Sequence, residues 1–166
     1  MIPRYTFPEM GKIRGTISFG YKELLPRDKT RRGAKGLIGN TTIQWRFWRL
    51  ILKTELTRDY PFSLWTNNLY FVYTHLGVGC SFYLSRTLRL DYNLSYGHLN
   101  YPEPFVWHGS EILRKDKQLY HIGGFVVRLK QNLGIGLQVV WWQWTSNLPG
   151  VDRDRLFFGG YITQEF

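Results

Sequence analysis

Residues 88–97 read Leu-Arg-Leu-Asp-Tyr-Asn-Leu-Ser-Tyr-Gly. Leu88, Leu90, Tyr92, Leu94 and Tyr96 share one parity, and Arg89, Asp91, Asn93, Ser95 and Gly97 share the other. Only an extended strand, whose side chains alternate from face to face, separates those two sets. The same alternation recurs along the chain and predicts strands near 12–21, 36–47, 50–58, 69–84, 88–101, 119–129, 133–146 and 154–166. In the first, Ile13, Ile17, Phe19 and Tyr21 oppose Lys12, Arg14, Thr16 and Ser18. In the third, Leu50, Leu52 and Leu56 oppose Lys53, Glu55 and Thr57. Composition agrees. The 166 residues include 17 Gly, 11 Tyr, 11 Phe and 7 Trp but a single alanine, Ala34, a composition that argues against an all-α fold and favours strands and turns. The length suits one domain, 1–166, with residues 1–11 as an N-terminal extension.

Short turns are expected at Phe47-Trp48-Arg49, Ser85-Arg86-Thr87 and Lys130-Gln131-Asn132, and longer polar loops near 22–35, 59–68, 102–118 and 147–153. Tight turns at one end and long loops at the other are the layout of an outer-membrane barrel, whose alternating strands keep the average polarity high. That accounts for a mean hydropathy of −0.30 alongside 43% hydrophobic residues. No apolar run is long enough for a membrane-spanning helix. The expected fold is therefore all-β: an antiparallel up-and-down (meander) transmembrane β-barrel of about eight strands. A soluble β-barrel binding a small ligand alternates in the same way, with its apolar parity inside, and is the alternative.

Two further features favour the membrane. The charged residues Lys12, Arg14, Arg46, Lys53, Glu55, Arg89, Asp91, Arg128 and Glu165 all fall on the polar parity, where a membrane barrel has its lumen. Aromatics gather towards strand ends, as in interfacial girdles; Trp45, Phe47, Trp48, Tyr70, Phe82, Tyr96, Trp141, Phe158 and Phe166 are the expected lipid-interface set. The chain ends inside its last strand on Phe166, the type of C-terminal strand that the bacterial barrel-assembly machinery recognises. Pro3, Arg4 and Pro8 interrupt the opening residues, so secretion would need a leader upstream of Met1.

The stretches GKIRGTISFGYKELLPRD (11–28), GLIGNTTIQWRF (36–47), LTRDYPFS (56–63), LRLDYNLSYGHLNYPEP (88–104) and LGIGLQVVWWQWTSNLPGVDRDRLFFGGYITQEF (133–166) carry a family resemblance. From about Gly11 to Phe166 the chain resembles the C-terminal portion of bacterial outer-membrane β-barrel porins associated with exopolysaccharide or envelope gene clusters. The resemblance implies a Gram-negative outer-membrane location and a chain that is the C-terminal part of a larger barrel or a shortened relative. It implies passive, porin-like passage of polar or anionic solutes or saccharide, or a structural role. The implied partners are outer-membrane lipid, lipopolysaccharide, the assembly machinery, and anionic polysaccharide or other envelope proteins.

The net charge of +10 is spread over the strands and over basic loops at 27–32 and 114–117, so it does not form a nucleic-acid-binding face, and no nucleic acid is expected. His75, His98, His108 and His121 lack metal-ligand spacing, and Cys80 is the one cysteine, so no metal, cofactor or catalytic group is expected. Gly77-Val78-Gly79 and Gly134-Ile135-Gly136 lie within strands and relieve crowding rather than cradling phosphate. Trp141, Trp142 and Trp144 could form a sugar-stacking platform, although girdle and core packing is their commoner use.

Overall fold

The computed structural model describes residues 4–10, 12–26, 33–64, 68–130 and 133–164. Nine strands form one sheet: β1 (Arg4–Met10), β2 (Ile13–Leu24), β3 (Ala34–Phe47), β4 (Leu50–Asp59), β5 (Val72–Tyr83), β6 (Leu88–Asn100), β9 (Lys115–Lys130), β10 (Leu133–Ser146) and β11 (Arg153–Gln164). A separate hairpin, β7 (Phe105–Trp107) with β8 (Ser110–Ile112), lies between β6 and β9. Every pairing is antiparallel and every neighbour in the large sheet is next in order along it, so the sheet is an up-and-down meander. Among the described residues there is no α-helix.

Two expectations need correction. The sheet has nine strands rather than about eight, because Arg4–Met10 pairs with β2 through Arg4↔Ser18 and Phe7↔Gly15, with a bulge before Met10↔Ile13. Nor do the strands close into a barrel: no described strand pairs with the outer edge of β1 or of β11. The two facts are linked by strand direction. In a meander of nine, the first and last strands run the same way, so β1 and β11 cannot form the antiparallel seam that an eight-stranded closure would use.

Register fixes the two faces. One row across the sheet runs Arg14, Gln44, Lys53, Gly79, Asn93, Ile122, Val140 and Phe157. Its neighbour on the opposite face runs Ile13, Trp45, Leu52, Cys80, Tyr92, Gly123, Val139 and Phe158. The polar side is the less exposed one in β2, β5, β6 and β10, although no second sheet covers it. A single layer hides one face in this way when it curls towards that face.

Glycine permits the curl at the places where a ring lies flat on the neighbouring backbone. A Cβ on Gly136 would meet the Tyr161 ring at 2.4 Å, and one on Gly97 would meet the Tyr73 ring at 3.2 Å. Each ring fills the space that the missing side chain leaves, a cross-strand packing that offsets the cost of glycine in a strand. On the apolar face, a Cβ on Gly160 meets its first neighbour, Leu137, only at 3.4 Å.

The tight connections (β1 to β2, β3 to β4, β5 to β6, β9 to β10) gather at one end and the long ones at the other. At the turn end, Trp48 takes a left-handed φ of 51° between the paired Phe47 and Leu50, and the Arg49 guanidinium lies 4.8 Å from its ring. At the loop end two apolar clusters form: Leu99, Tyr101, Phe105 and Leu148, and Ala34, Tyr60 and Tyr70. Asn68 ties two loops together, donating to the Glu103 carbonyl at 3.1 Å and accepting from the Glu103 N–H at 2.9 Å.

Gly136→Ala is expected to lower unfolding stability by about 1–3 kcal/mol, because the Tyr161 ring must leave its seat. Gly160→Ala should change it by less than about 0.5 kcal/mol. Urea titration followed by tryptophan fluorescence checks the pair, and equal effects would contradict this packing.

Candidate functional site: the polar face of the sheet

The polar face carries the charged groups in short, local pairs. Lys22 Nζ lies 2.9 Å from Asp59 Oδ1, and Arg14 Nε donates to Gln44 Oε1 at 2.6 Å. Arg89 Nε donates to Asp91 Oδ2 at 3.0 Å, and the Ser81 hydroxyl donates to Asp91 Oδ1. Lys53 and Glu55 make a looser pair at 3.7 Å. Residues two apart on one strand face the same way, so Arg89 with Asp91 and Lys53 with Glu55 follow directly from the alternation.

Of the charged set anticipated from sequence, Arg14, Arg46, Lys53, Glu55, Arg89, Asp91 and Arg128 lie on this face. Lys12 departs from it. It sits in the turn after β1, and its ammonium lies 5.3 Å from the centroid of Phe47, a residue of the apolar face. Glu165 lies outside the described residues.

Of the aromatic set, Trp45, Phe47, Phe82, Tyr96, Trp141 and Phe158 stand on the opposite, apolar face. There Trp141 stacks on His121 at 5.0 Å and donates its indole N–H to Asp154 Oδ1. Trp48 caps the β3–β4 turn. Tyr70 is a correction: it lies before β5, bridged to Phe62, and is buried against Tyr60 and Ala34 with its hydroxyl on the Gly33 carbonyl. Tyr60 and Tyr101 are buried in the same way, whereas Phe62 and Trp107 are exposed. Phe166, Trp65 and the basic loop 27–32 lie outside the described residues.

Sequence reasoning missed an ion pair at the loop end. Arg114 and Asp116, read as part of a solvated basic loop, are fully buried. Arg114 Nε and Nη2 hold the carboxylate bidentately, at 2.9 Å and 2.6 Å. The guanidinium lies 4.8 Å from the Tyr101 ring and 5.5 Å from Phe105, and Ser146 donates to Asp116 at 2.6 Å. The alternation of Arg114, Asp116 and Gln118 marks one face, but nothing local announces that loops will close over it. No signal in the sequence separates this pair from the exposed Lys115 and Lys117.

The aromatics of the polar face stack in two groups, one within β5 and one across β9 and β10. Tyr73 lies parallel to His75 at 5.9 Å, and Tyr120 lies on Trp142 at 6.0 Å with Arg155 above the indole at 5.6 Å. Lys53, Glu55, His75, Gly77, Gly79, Asn93, Ser95 and Ile122 line a depression of about 200 Å³ on this face. Among the described residues no group of three His, Cys, Asp or Glu side chains is placed to hold a metal ion. No family model, curated protein or solved structure matches this chain significantly.

Asp116→Asn should cost about 3–5 kcal/mol of stability, since it leaves a buried guanidinium without its counter-charge. The double variant Arg114→Met/Asp116→Leu should recover most of that loss. Urea midpoints of the two variants check this, and a single variant as stable as wild type would show that the pair is not buried.

Proposed function

We propose that this chain is an outer-membrane β-barrel protein whose apolar face meets lipid hydrocarbon and whose polar face lines the barrel interior. The observation that carries the reading is the exposure of the apolar face across the whole sheet. Phe19, Leu37, Trp45, Leu56, Leu76, Leu90, Leu94, Leu137, Leu156 and Phe158 all stand exposed there, Phe158 by 75% and Phe19 by 63%. An apolar surface of this extent is an interaction surface, since soluble monomers rarely show more than a few hundred Å² of contiguous apolar patch. A soluble ligand-binding barrel would reverse the arrangement, curling towards its apolar parity and giving the polar one to water. The sheet curls the other way.

The layout of the connections supports the same reading, with tight turns facing the periplasm and long loops facing outward. In the large sheet, the eight strands from β2 to β11 have 10 to 16 residues, long enough to cross an outer membrane at a tilt. Unpaired strand edges are intolerable in hydrocarbon, so a barrel built from this sheet must join the edges of β1 and β11. Because the two run in the same direction, they join either through a parallel seam or through an odd number of added antiparallel strands.

The role that fits this surface is passive: a structural wall, or porin-like passage of polar solutes along a face rich in Lys, Arg, Asn, Gln and Ser. We assign it no catalytic step and no cofactor. Lipopolysaccharide, membrane lipid and the barrel-assembly machinery are its proposed partners.

Quenching by brominated lipids tests the orientation. With the chain refolded into vesicles, single-tryptophan variants retaining Trp45 or Trp141 should be quenched strongly, and those retaining Trp142 or Trp144 weakly. Equal quenching at all four positions would overturn the reading.

A further inference from the structure

The polar face changes character from one side of the sheet to the other. The row that carries Arg14, Gln44, Lys53 and Asn93 on β2 to β6 continues on the last three strands as Ile122, Val140 and Phe157. Ile122 and Val140 are half-buried, Phe157 is 46% exposed, and no second sheet covers them. Single apolar residues on a surface are ordinary; three abreast, on the face that holds the ion pairs, form a patch. Two strand spacings and one two-residue step give it about 10 Å by about 7 Å. Towards the turns the next row is Gly124, Gln138 and Gly159, so both flanks of the patch open onto bare backbone. A strand joined to the edge of β11 would lie beside the patch, in the plane of the sheet, and leave its face open.

Towards the loops the adjoining row is Tyr120, Trp142 and Arg155. Tyr120 stacks on Trp142, and the Arg155 guanidinium lies over the indole, 5.6 Å from its centroid. Arg155 is exposed and forms no ion pair with a described residue. Neither of the two described carboxylates of β9, β10 and β11 serves it. Asp116 is held by Arg114, and Asp154 stands on the opposite face with Trp141. Arg153, two residues back along β11, faces the same way as Arg155 and adds to the positive charge. The buried indole N–H of Trp142 has no acceptor among the described residues either. This corner offers cations and a donor and lacks acceptors. A carboxylate supplies both missing parts, a counter-charge and lone pairs, in a charge-assisted contact.

We propose that the Ile122–Val140–Phe157 row and the Arg155–Trp142 pair beside it bind an amphiphilic monocarboxylate, its apolar body on the row and its head on the guanidinium. The dimensions of the patch suit a body of one aromatic ring or a short alkyl chain. The proposal goes beyond the barrel reading, which asks only for polar solutes on this face, and it holds whether the opposite face meets lipid or protein.

Quenching by 4-(4-bromophenyl)butyrate tests it on single-tryptophan variants of the full chain folded in a phosphocholine detergent. Saturable quenching is expected with Trp142 retained. With Trp45 retained, on the opposite face, only the linear response of a ligand dissolving in the micelle is expected. 4-Phenylbutyrate should compete; butyrate, which lacks the apolar body, and 4-phenylbutanol, which lacks the carboxylate, should each compete about tenfold less well or worse. Arg155→Gln should weaken binding by about tenfold or more, and Val140→Thr by about threefold. Arg14→Gln, at the far side of the same face, should leave it unchanged. The urea midpoint of each variant separates lost binding from lost folding; should Arg155→Gln fail to fold, Val140→Thr, which keeps shape and charge, decides. Unsaturated quenching at both tryptophans would overturn the proposal, as would unchanged affinity in the Arg155 variant. Butyrate competing as well as 4-phenylbutyrate would overturn it in favour of a bare anion site, and 4-phenylbutanol doing so would overturn it in favour of a purely apolar one. Strong lipid quenching at Trp45 and Trp141 without ligand quenching at Trp142 would remove the site and leave the membrane reading standing. Saturable ligand quenching at Trp142 with equal lipid quenching at all four positions would do the reverse.

Discussion

Everything in this structure depends on one constraint: nine hydrogen-bonded strands whose register sends alternate side chains to opposite faces, one of which carries the charged pairs. The ladder satisfies the backbone from β1 to β11, and register then decides the position of every side chain. A slip of one residue between β5 and β6 would bring Leu90 and Leu94 to the side of Asp91 and Asn93. The apolar face finds no second layer to pack against, and the polar face is the one the sheet curls around. These two facts invert the arrangement of a soluble barrel, and the functional reading follows from that inversion.

The two ends of the sheet are built differently. At the turn end the strands are joined tightly, and Phe47, Trp48 and Phe82 remain exposed beside the turns. At the loop end Leu99, Tyr101, Phe105 and Leu148 make a small conventional core, and the Arg114–Asp116 pair is sealed beneath it. A buried pair of this kind adds little net stability over an apolar replacement, but it is costly to break, so it fixes which loops meet. Residues 101–114 and 147–152 therefore pack together as a small cap, and they are less free than their polar sequence suggests.

The sheet was largely legible in the sequence and the cap was not. Leu88 to Gly97 announces a strand because period-2 patterning is local, and all eight anticipated strands are present with ends shifted by a few residues. Arg4–Met10 was missed because Pro8 and a bulge break the alternation. The N-terminal end of β9 was placed late because Lys115 and Lys117 are polar on a face that is otherwise apolar. Tyr70 was misplaced because parity was carried past the true start of β5 at Val72. The hairpin of β7 and β8 had a readable signal in His108-Gly109, both at positive φ between paired Trp107 and Ser110. Burial of Arg114 and Asp116 had none, since it depends on three loops meeting. Pairings within a strand, such as Arg89 with Asp91 or Tyr73 on His75, could be read from spacing alone, whereas the Tyr120–Trp142 stack required the cross-strand register.

The opposed chemistry of the two faces is tested most directly by a spin-label scan along β6, from Leu88 to Asn100, with Cys80 replaced and the chain refolded in lipid vesicles. Labels at even positions such as 90, 92 and 94 should collide freely with oxygen, which concentrates in hydrocarbon, and little with a water-soluble nickel complex. Labels at 91, 93 and 95 should respond less to oxygen. The reverse alternation, or even positions shielded from both reagents, would mean that the apolar face packs against protein, and it would contradict the central claim.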